Sequence, residues 1–413
     1  MAHTLWKIVA LSFLASTSTV VRTQEISTVS LFAESAFDRW TEEAPVMQIP
    51  WKVQVRSPGL SQHQRLVAQI EIEIKDRELA KRANDGHLVA LVRVTDEAGN
   101  QYRNFGVIDL KEIKPGKHSH TWVSMWEAFV LPGEYKVAVA LYDKVSGEHS
   151  FQQSSLHVSA LKNDPLPEAW DGLPAWEFWG PITDERDAIF QSDITGRLHL
   201  PLRTKRPVEL DILADLTPSD LFHGSTRFYT RYLSVMLPLL KALTQITPSD
   251  GSVQVAAVDL RERRVTFEQD GSRRLDWARL KAVTAPENGP AKIALSSLQQ
   301  MHETPDFLRD ELVRRLHEAR SSQAGRSSLH VFVVLGSPMD FYAFHHFPPI
   351  ESEQTENCVV YYLQFETYGG YTDGALNKVR SMLKPLPIRT IKIRSAESVR
   401  HGLAKILQEV PRL

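Results

Sequence analysis

Few residues of this sequence stand in a spacing that does chemistry. Tyr368-Gly-Gly-Tyr-Thr-Asp-Gly374 is a glycine-rich turn between a predicted strand and a predicted helix, where backbone amides can hold an anion. No basic or metal partner stands beside it, and a sharp turn using left-handed glycines explains the same residues. His345 and His346, in Phe344-His-His-Phe347, are acid–base candidates by residue type. They lie in a proline-flanked loop with no carboxylate to orient an imidazole, which favours a surface or packing role. His118 and His120 share a strand face with Trp122, but two imidazoles without a third ligand read as a solvated or cross-strand pair. Cys358, the single cysteine, opens an apolar strand and suits a core position better than a nucleophile's. The sequence contains no G-x-S-x-G elbow, H-E-x-x-H, Walker A lysine motif or dinucleotide G-x-G-x-x-G. From these residues no catalytic group and no cofactor is expected.

The elements that carry these residues belong to a chain of 413 residues, enough for two or three domains. Hydrophobic residues make up 42% and charged residues 24%, so the chain can bury more than one core. With 48 Lys and Arg against 50 Asp and Glu there is no basic field to attract a polyanion, and no nucleic-acid partner is expected. Residues 1–23 read as an export signal: a short basic stretch through Lys7, then the apolar core Ile8-Val-Ala-Leu-Ser-Phe-Leu-Ala15, too short to span a bilayer. No later stretch has the apolar length of a transmembrane helix. The expectation is a secreted or periplasmic protein of a bacterial envelope, held by core packing rather than disulfides.

From residue 45 to 161 the dominant period is two. Leu66, Ala68, Ile70, Ile72 and Ile74 alternate with Gln69, Glu71 and Glu73, and Tyr135, Val137, Val139 and Leu141 form a second such face. Short strands separated by turn signals such as Asp96-Glu-Ala-Gly-Asn100 predict an all-β sandwich, whose closing stretch resembles the final hairpin of immunoglobulin-like modules. Residues 162–206 form a bridge with Pro165, Pro167, Pro174 and Pro181 interleaved with Trp170, Trp176 and Trp179, a composition that predicts packed rather than flexible chain. A carbohydrate-binding aromatic platform is the functional alternative there.

After Pro207 strands alternate with helices. Val208–Ala214, Val253–Val258, Leu329–Leu335 and Val359–Phe365 read as buried strands, and Thr226–Leu243 as an amphipathic helix with Pro238 as a kink point. A helix begins at Thr304-Pro305, and the last one carries Val399, Leu403, Ile406, Leu407 and Val410 along one stripe. This alternation predicts an α/β doubly wound domain over residues 207–413.

The order of these elements resembles a von Willebrand factor type A domain. The resemblance rests on Asp215-Leu-Thr217-Pro-Ser219, near the family's D-x-S-x-S. It rests also on the strand Val253–Val258 leading into a hairpin through Phe267, and on Ile391-Lys-Ile393 running through Ser395 into the terminal helix. It implies a metal-ion-dependent adhesion site at which Asp215, Thr217 and Ser219 supply oxygen donors for Mg²⁺ or another divalent cation. The other two loops depart from the pattern. Gly289-Pro-Ala-Lys292 stands where a hydroxyl is needed, and Gly336-Ser-Pro-Met-Asp340 displaces the expected carboxylate. Ser337 and Asp340 are the available substitutes. The site implied is therefore degenerate, with Asp215 and Thr217 read as turn and capping residues and Mg²⁺ kept as the alternative. The expected contact surface is the rim at the strand C-terminal ends, with Asp220, Ser337, Asp340, Tyr368 and Asp373, and the expected ligand a protein. The reading is a non-catalytic binding or scaffold protein; its rival is an envelope metal-dependent hydrolase using the same rim.

Overall fold

The computed structural model describes residues 35–41, 46–82, 86–110, 121–179, 194–217, 226–260, 262–271, 274–284, 304–322, 328–337, 357–365 and 372–413. The side chains at 226–231, 304–305, 319–322 and 372–375 are outside that description. The export-signal segment and His118, His120, His345 and His346 also lie outside it. Two compact units are present. One comprises Met1–Gly59, Val67–Ala160 and Ala175–Phe178, the other Leu60–Leu66, Leu161–Pro174 and Trp179–Leu413.

In the first unit the strands are β1 (Trp51–Leu60), β2 (Leu66–Lys75), β3 (His87–Asp96), β4 (Gln101–Asp109), β5 (Thr121–Val130), β6 (Gly133–Asp143), β7 (His149–Val158) and β8 (Trp176–Phe178). They make two four-stranded sheets, ordered β1-β2-β5-β8 and β4-β3-β6-β7. The sheets pack face to face: a Cβ at Gly106 of β4 would stand 3.3 Å from the Trp126 ring of β5, and Tyr135 of β6 lies 5.5 Å from Trp176 of β8. The five apolar residues picked out on β2 are all buried, as alternation requires. Glu71, expected on the solvated face, is buried too, because Arg56 pairs with its carboxylate. The denser apolar run of β3 has its own cause. Phe37 and Trp40, on the short helix α1 at residues 35–40, cover the outer face of β3, β6 and β7 through Val89, Leu91, Ala138, Ala140 and Phe151. A strand buried on both faces loses its polar alternation. A second short helix, α2 (Asp76–Ala80), follows β2.

The second unit contains β9 (Leu200–Leu202), β10 (Val208–Asp215), β11 (Ile246–Pro248), β12 (Gly251–Asp259), β13 (Arg264–Asp270), β14 (Leu329–Gly336), β15 (Cys358–Phe365) and β16 (Ile388–Ile393). Its helices are α3 (Thr226–Leu243), α4 (Trp277–Thr284), α5 (Thr304–Ser322), α6 (Thr372–Met382) and α7 (Ala396–Glu409). Six strands form one sheet in the order β13-β12-β10-β14-β15-β16, parallel except for the β12–β13 edge pair. Numbered along the chain within this sheet, the order is 3-2-1-4-5-6, which places the topological switch between β10 and β14.

Both faces of the sheet are covered. On one, Leu213, Phe332, Val334, Val360 and Tyr362 meet Leu308, Leu312 and Leu316 of α5 and Leu376, Val379 and Met382 of α6. On the other lie α3, whose Tyr232 meets Phe365 edge-on, and α7, whose Gly402 sits against Ile391. α3 runs unbroken across Pro238. α7 opens with a capping box in which Ser395 and Ser398 each accept the other's backbone amide. β9 pairs with β11 in a small parallel sheet, so the proline-rich bridge ends in a strand of its own.

Candidate functional site

β10 is buried along nearly its whole length and ends at Asp215, 3% exposed, where the chain leaves the sheet at the switch point. The Asp215 carboxylate turns back on its own chain. Its Oδ1 accepts from the Thr217 amide at 3.0 Å and from the Thr217 hydroxyl at 2.5 Å, an Asx turn closed twice. The same hydroxyl accepts the Leu260 amide at 2.7 Å, and the Leu216 amide donates to the Val258 carbonyl at 3.0 Å. Asp215 and Thr217 thus tie the end of β10 to the end of β12. The Tyr232 hydroxyl of α3 donates to the Asp215 carbonyl oxygen at 2.8 Å.

Beside them β14 ends at Gly336. A Cβ there would lie 3.5 Å from Asp215 Cβ, 3.6 Å from Asp215 Oδ2 and 3.5 Å from the Tyr362 hydroxyl. Ser337 follows, half-buried. Gly336 pairs in register with Gln364 of β15, which is completely buried and whose side-chain amide has no hydrogen-bond partner among the described residues. Sequence reasoning passed over Gln364; the signal available was one amide near the end of an otherwise apolar strand.

Of the rim residues named from the sequence, Asp215 and Thr217 come together, with Ser337 just past the neighbouring strand. Ser219, Asp220, Asp340 and Tyr368 lie outside the described residues, as do Gly289–Lys292. Asp373 stands in the first turn of α6 and its side chain is outside the description. Cys358 is 6% exposed within the core that α5 and α6 cover. Among the described residues no group of three or more His, Cys, Asp or Glu is placed to hold a metal ion.

Two pleats below Asp215 on the same strand face, Asp211 meets Arg315 of α5 at 3.3 Å. Arg315, 6% exposed, also contacts Glu311 and Glu268 at 2.7 Å each. Burial pushes the Asp211 carboxyl up to about 6, and Arg315 offsets only part of that rise. Burial also acts on Glu311, but the hydrogen bonds and charges of Arg314 and Arg315 override it and hold that carboxyl below its ordinary value. The charge below the rim is therefore locked into a structural network between sheet and helix.

No protein-family model matches the chain, and no curated protein does. Among solved structures, the PilB minor pilin from Streptococcus sanguinis aligns at 10% identity over 82% of this chain and 95% of its own, with a TM-score of 0.26. Its D319A mutant gives 10%, 78%, 88% and 0.27. The ArnB paralog VWA2 from Sulfolobus acidocaldarius aligns at 8% identity over 66% of this chain and 50% of its own, with a TM-score of 0.24. Superpositions this loose carry no argument about fold or function. Among the described residues no helix is long and apolar enough to cross a membrane.

Proposed function

We propose that this chain is an exported, non-catalytic binding or scaffold protein whose α/β unit is a von Willebrand A-like domain with a degenerate cation site, docking a protein partner at the strand C-terminal rim. The strand order 3-2-1-4-5-6 with its antiparallel third strand supports the domain reading. The observation that carries the functional reading is the wiring of Asp215 and Thr217. The carboxylate oxygen Oδ1 holds two donors, and the Thr217 hydroxyl donates to it while accepting the Leu260 amide. Oxygen donors committed to joining two strand ends are poorly disposed to dehydrate a hard cation, which supports the reading of a degenerate rather than an occupied site.

Calorimetric titration with Mg²⁺ and Mn²⁺ gives no tight binding on this reading. Tight binding abolished by Asp215→Ala would overturn it in favour of a metal-dependent site. A photo-crosslinker at position 337, used in cells of the native host, is expected to yield a discrete adduct with another protein, whereas one at the exposed Val145 is not. Equal yields from both positions would remove the rim from consideration as the docking face.

A further inference from the structure

Among the described residues β4 ends its sheet, and it differs from the other sheet ends of the first unit. β1 carries Lys52 and Pro58, β8 is three residues long, and β7 meets residues 46–48 through the Met47–Ser150 bridge. Each of these features discourages a further strand. β4 runs Gln101-Tyr-Arg-Asn-Phe-Gly-Val-Ile-Asp109, with no Lys, no Pro and no bulge in its ladder with β3. The bonds flanking that ladder fix which way its peptide groups point. The Asp96 amide donates to the Asn100 carbonyl at 3.1 Å and the Leu110 amide to the Gly86 carbonyl at 2.9 Å. Hydrogen-bonded pairs alternate along an antiparallel ladder, so the even-numbered residues of β4 bond to β3. The odd-numbered ones, Arg103, Phe105, Val107 and Asp109, turn their amides and carbonyls to the open edge. The Phe105 amide accordingly donates to the side chain of its neighbour Asn104, at 2.9 Å. The side chains of the same four residues stand on the outer face and reach solvent: Phe105 is 37% and Val107 43% exposed, and the Arg103 and Asp109 side chains are 41% and 32% exposed.

We propose that β4 pairs antiparallel with β4 of a second copy of this chain, about a two-fold axis at Gly106, so that two four-stranded sheets become one. The four outward residues are self-complementary in that register alone. Arg103 faces the other copy's Asp109, Phe105 faces its Val107, and symmetry repeats both pairs. A register moved along the strand sets Phe105 against Phe105 and leaves the charges opposite apolar side chains. Arg103 already lies 3.6 Å from Asp38 and donates to the Gln101 side chain at 2.8 Å, and His87 stands 3.8 Å from Asp109. A guanidinium fork and a carboxylate each have capacity beyond one such contact, so pairing does not require these to break. The surface belongs to the first unit and stands whether or not the rim of the second docks a protein.

The test is sedimentation velocity of the full chain over a concentration series, with Arg103→Asp, Asp109→Arg and an equimolar mixture of the two variants. The parent is expected to show a concentration-dependent dimer. Each single substitution sets like charges against each other at both ends of the paired strands and should raise the dissociation constant at least about tenfold. Mixing the two variants restores opposite charges at both ends, so the heterodimer should form with the parent's affinity, which a misfolded chain could not do. Val107→Lys, a guard charge opposite Phe105, should leave a monomer. A parent that stays monomeric throughout the series, single variants that dimerise as the parent does, or a mixture no tighter than its components overturns the self-pairing of β4.

Discussion

Buried polar residues in this chain are settled by what they can pair with, and Asp211 shows the cost when pairing is incomplete. Its carboxyl titrates near 6 in the folded chain against about 3.9 unfolded, because burial outweighs the attraction of Arg315. Between these values the folded state holds a proton that the unfolded state has released. The Asp211 contribution to stability therefore falls as pH rises from about 4 to about 6 and stays low above that. Glu311, held below its ordinary value, works in the opposite sense, and its contribution is lost as pH falls through and below the ordinary carboxylate range. Asp211→Asn keeps the shape and removes the titration. Urea unfolding of the two proteins from pH 4 to 7 is expected to show the variant gaining roughly 2–3 kcal/mol on the parent across that window. A constant difference between them would mean that Asp211 titrates normally. The same accounting separates Asp215 from Asp211. Asp215 accepts two local donors and serves a turn, whereas Asp211 shares one arginine with two glutamates.

Elements with a strong period of their own were legible in the sequence. β2, β10, β12, β14 and β15 follow their apolar patterns, and the amphipathic stripe of α7 marks that helix. Elements that exist only because something distant pairs with them were not. β8, β9 and β11 are three residues each, too short for a period, and depend on Ala128–Val130 or on each other. The helix at residues 35–40 is needed because β3 and β6 have a second apolar face, a fact visible only when the sheet is assembled. At the rim, Asp215 and Thr217 were legible from their spacing, whereas Gln364 and Gly336 matter through cross-strand register, which no local motif encodes. Gly251 belongs to the same class. It opens β12 at φ +121°, and a Cβ there would fall 1.9 Å from the Val208 carbonyl oxygen, a backbone atom that cannot move without breaking the β10–β12 register. Gly172 also has a positive φ, +77°, but open space around it. Gly251→Ala should therefore cost at least about 3 kcal/mol, and Gly172→Ala about 1–2 kcal/mol from backbone conformation alone. Chemical denaturation of the two variants checks the ranking, and equal losses would refute the close approach at Gly251.

At the scale of the whole chain, neither compact unit is a continuous stretch, and this decides where the protein can be cut. The second unit takes in Leu60–Leu66 and Leu161–Pro174, far from its main body in sequence. These segments enclose Arg400, which is 1% exposed. Its guanidinium binds both Asp164 oxygens, at 2.5 and 2.7 Å, the Leu166 carbonyl at 2.8 Å and the Gln64 carbonyl at 3.2 Å, and lies 4.6 Å from the centre of the Trp170 ring. The Trp170 indole in turn donates to the Gln64 carbonyl at 2.7 Å. Composition places the domain boundary at residue 207, yet a fragment cut there loses β9, Asp164 and Trp170 together, and the surface they cover becomes wet. Arg400 is then solvated and its partners are irrelevant. Arg400→Leu should consequently lower the stability of the full chain by about 3 kcal/mol, since it strands the Asp164 carboxylate, whose side chain is 10% exposed. In the fragment 179–413, where Asp164 is absent, the same substitution should be close to neutral. In 161–413, which restores Asp164, Leu166 and Trp170, most of the penalty should return. Urea midpoints for the three backgrounds with and without the substitution give the comparison directly. An equal penalty in 179–413 and in the full chain would show that Arg400 is held by something other than the segments far away in sequence.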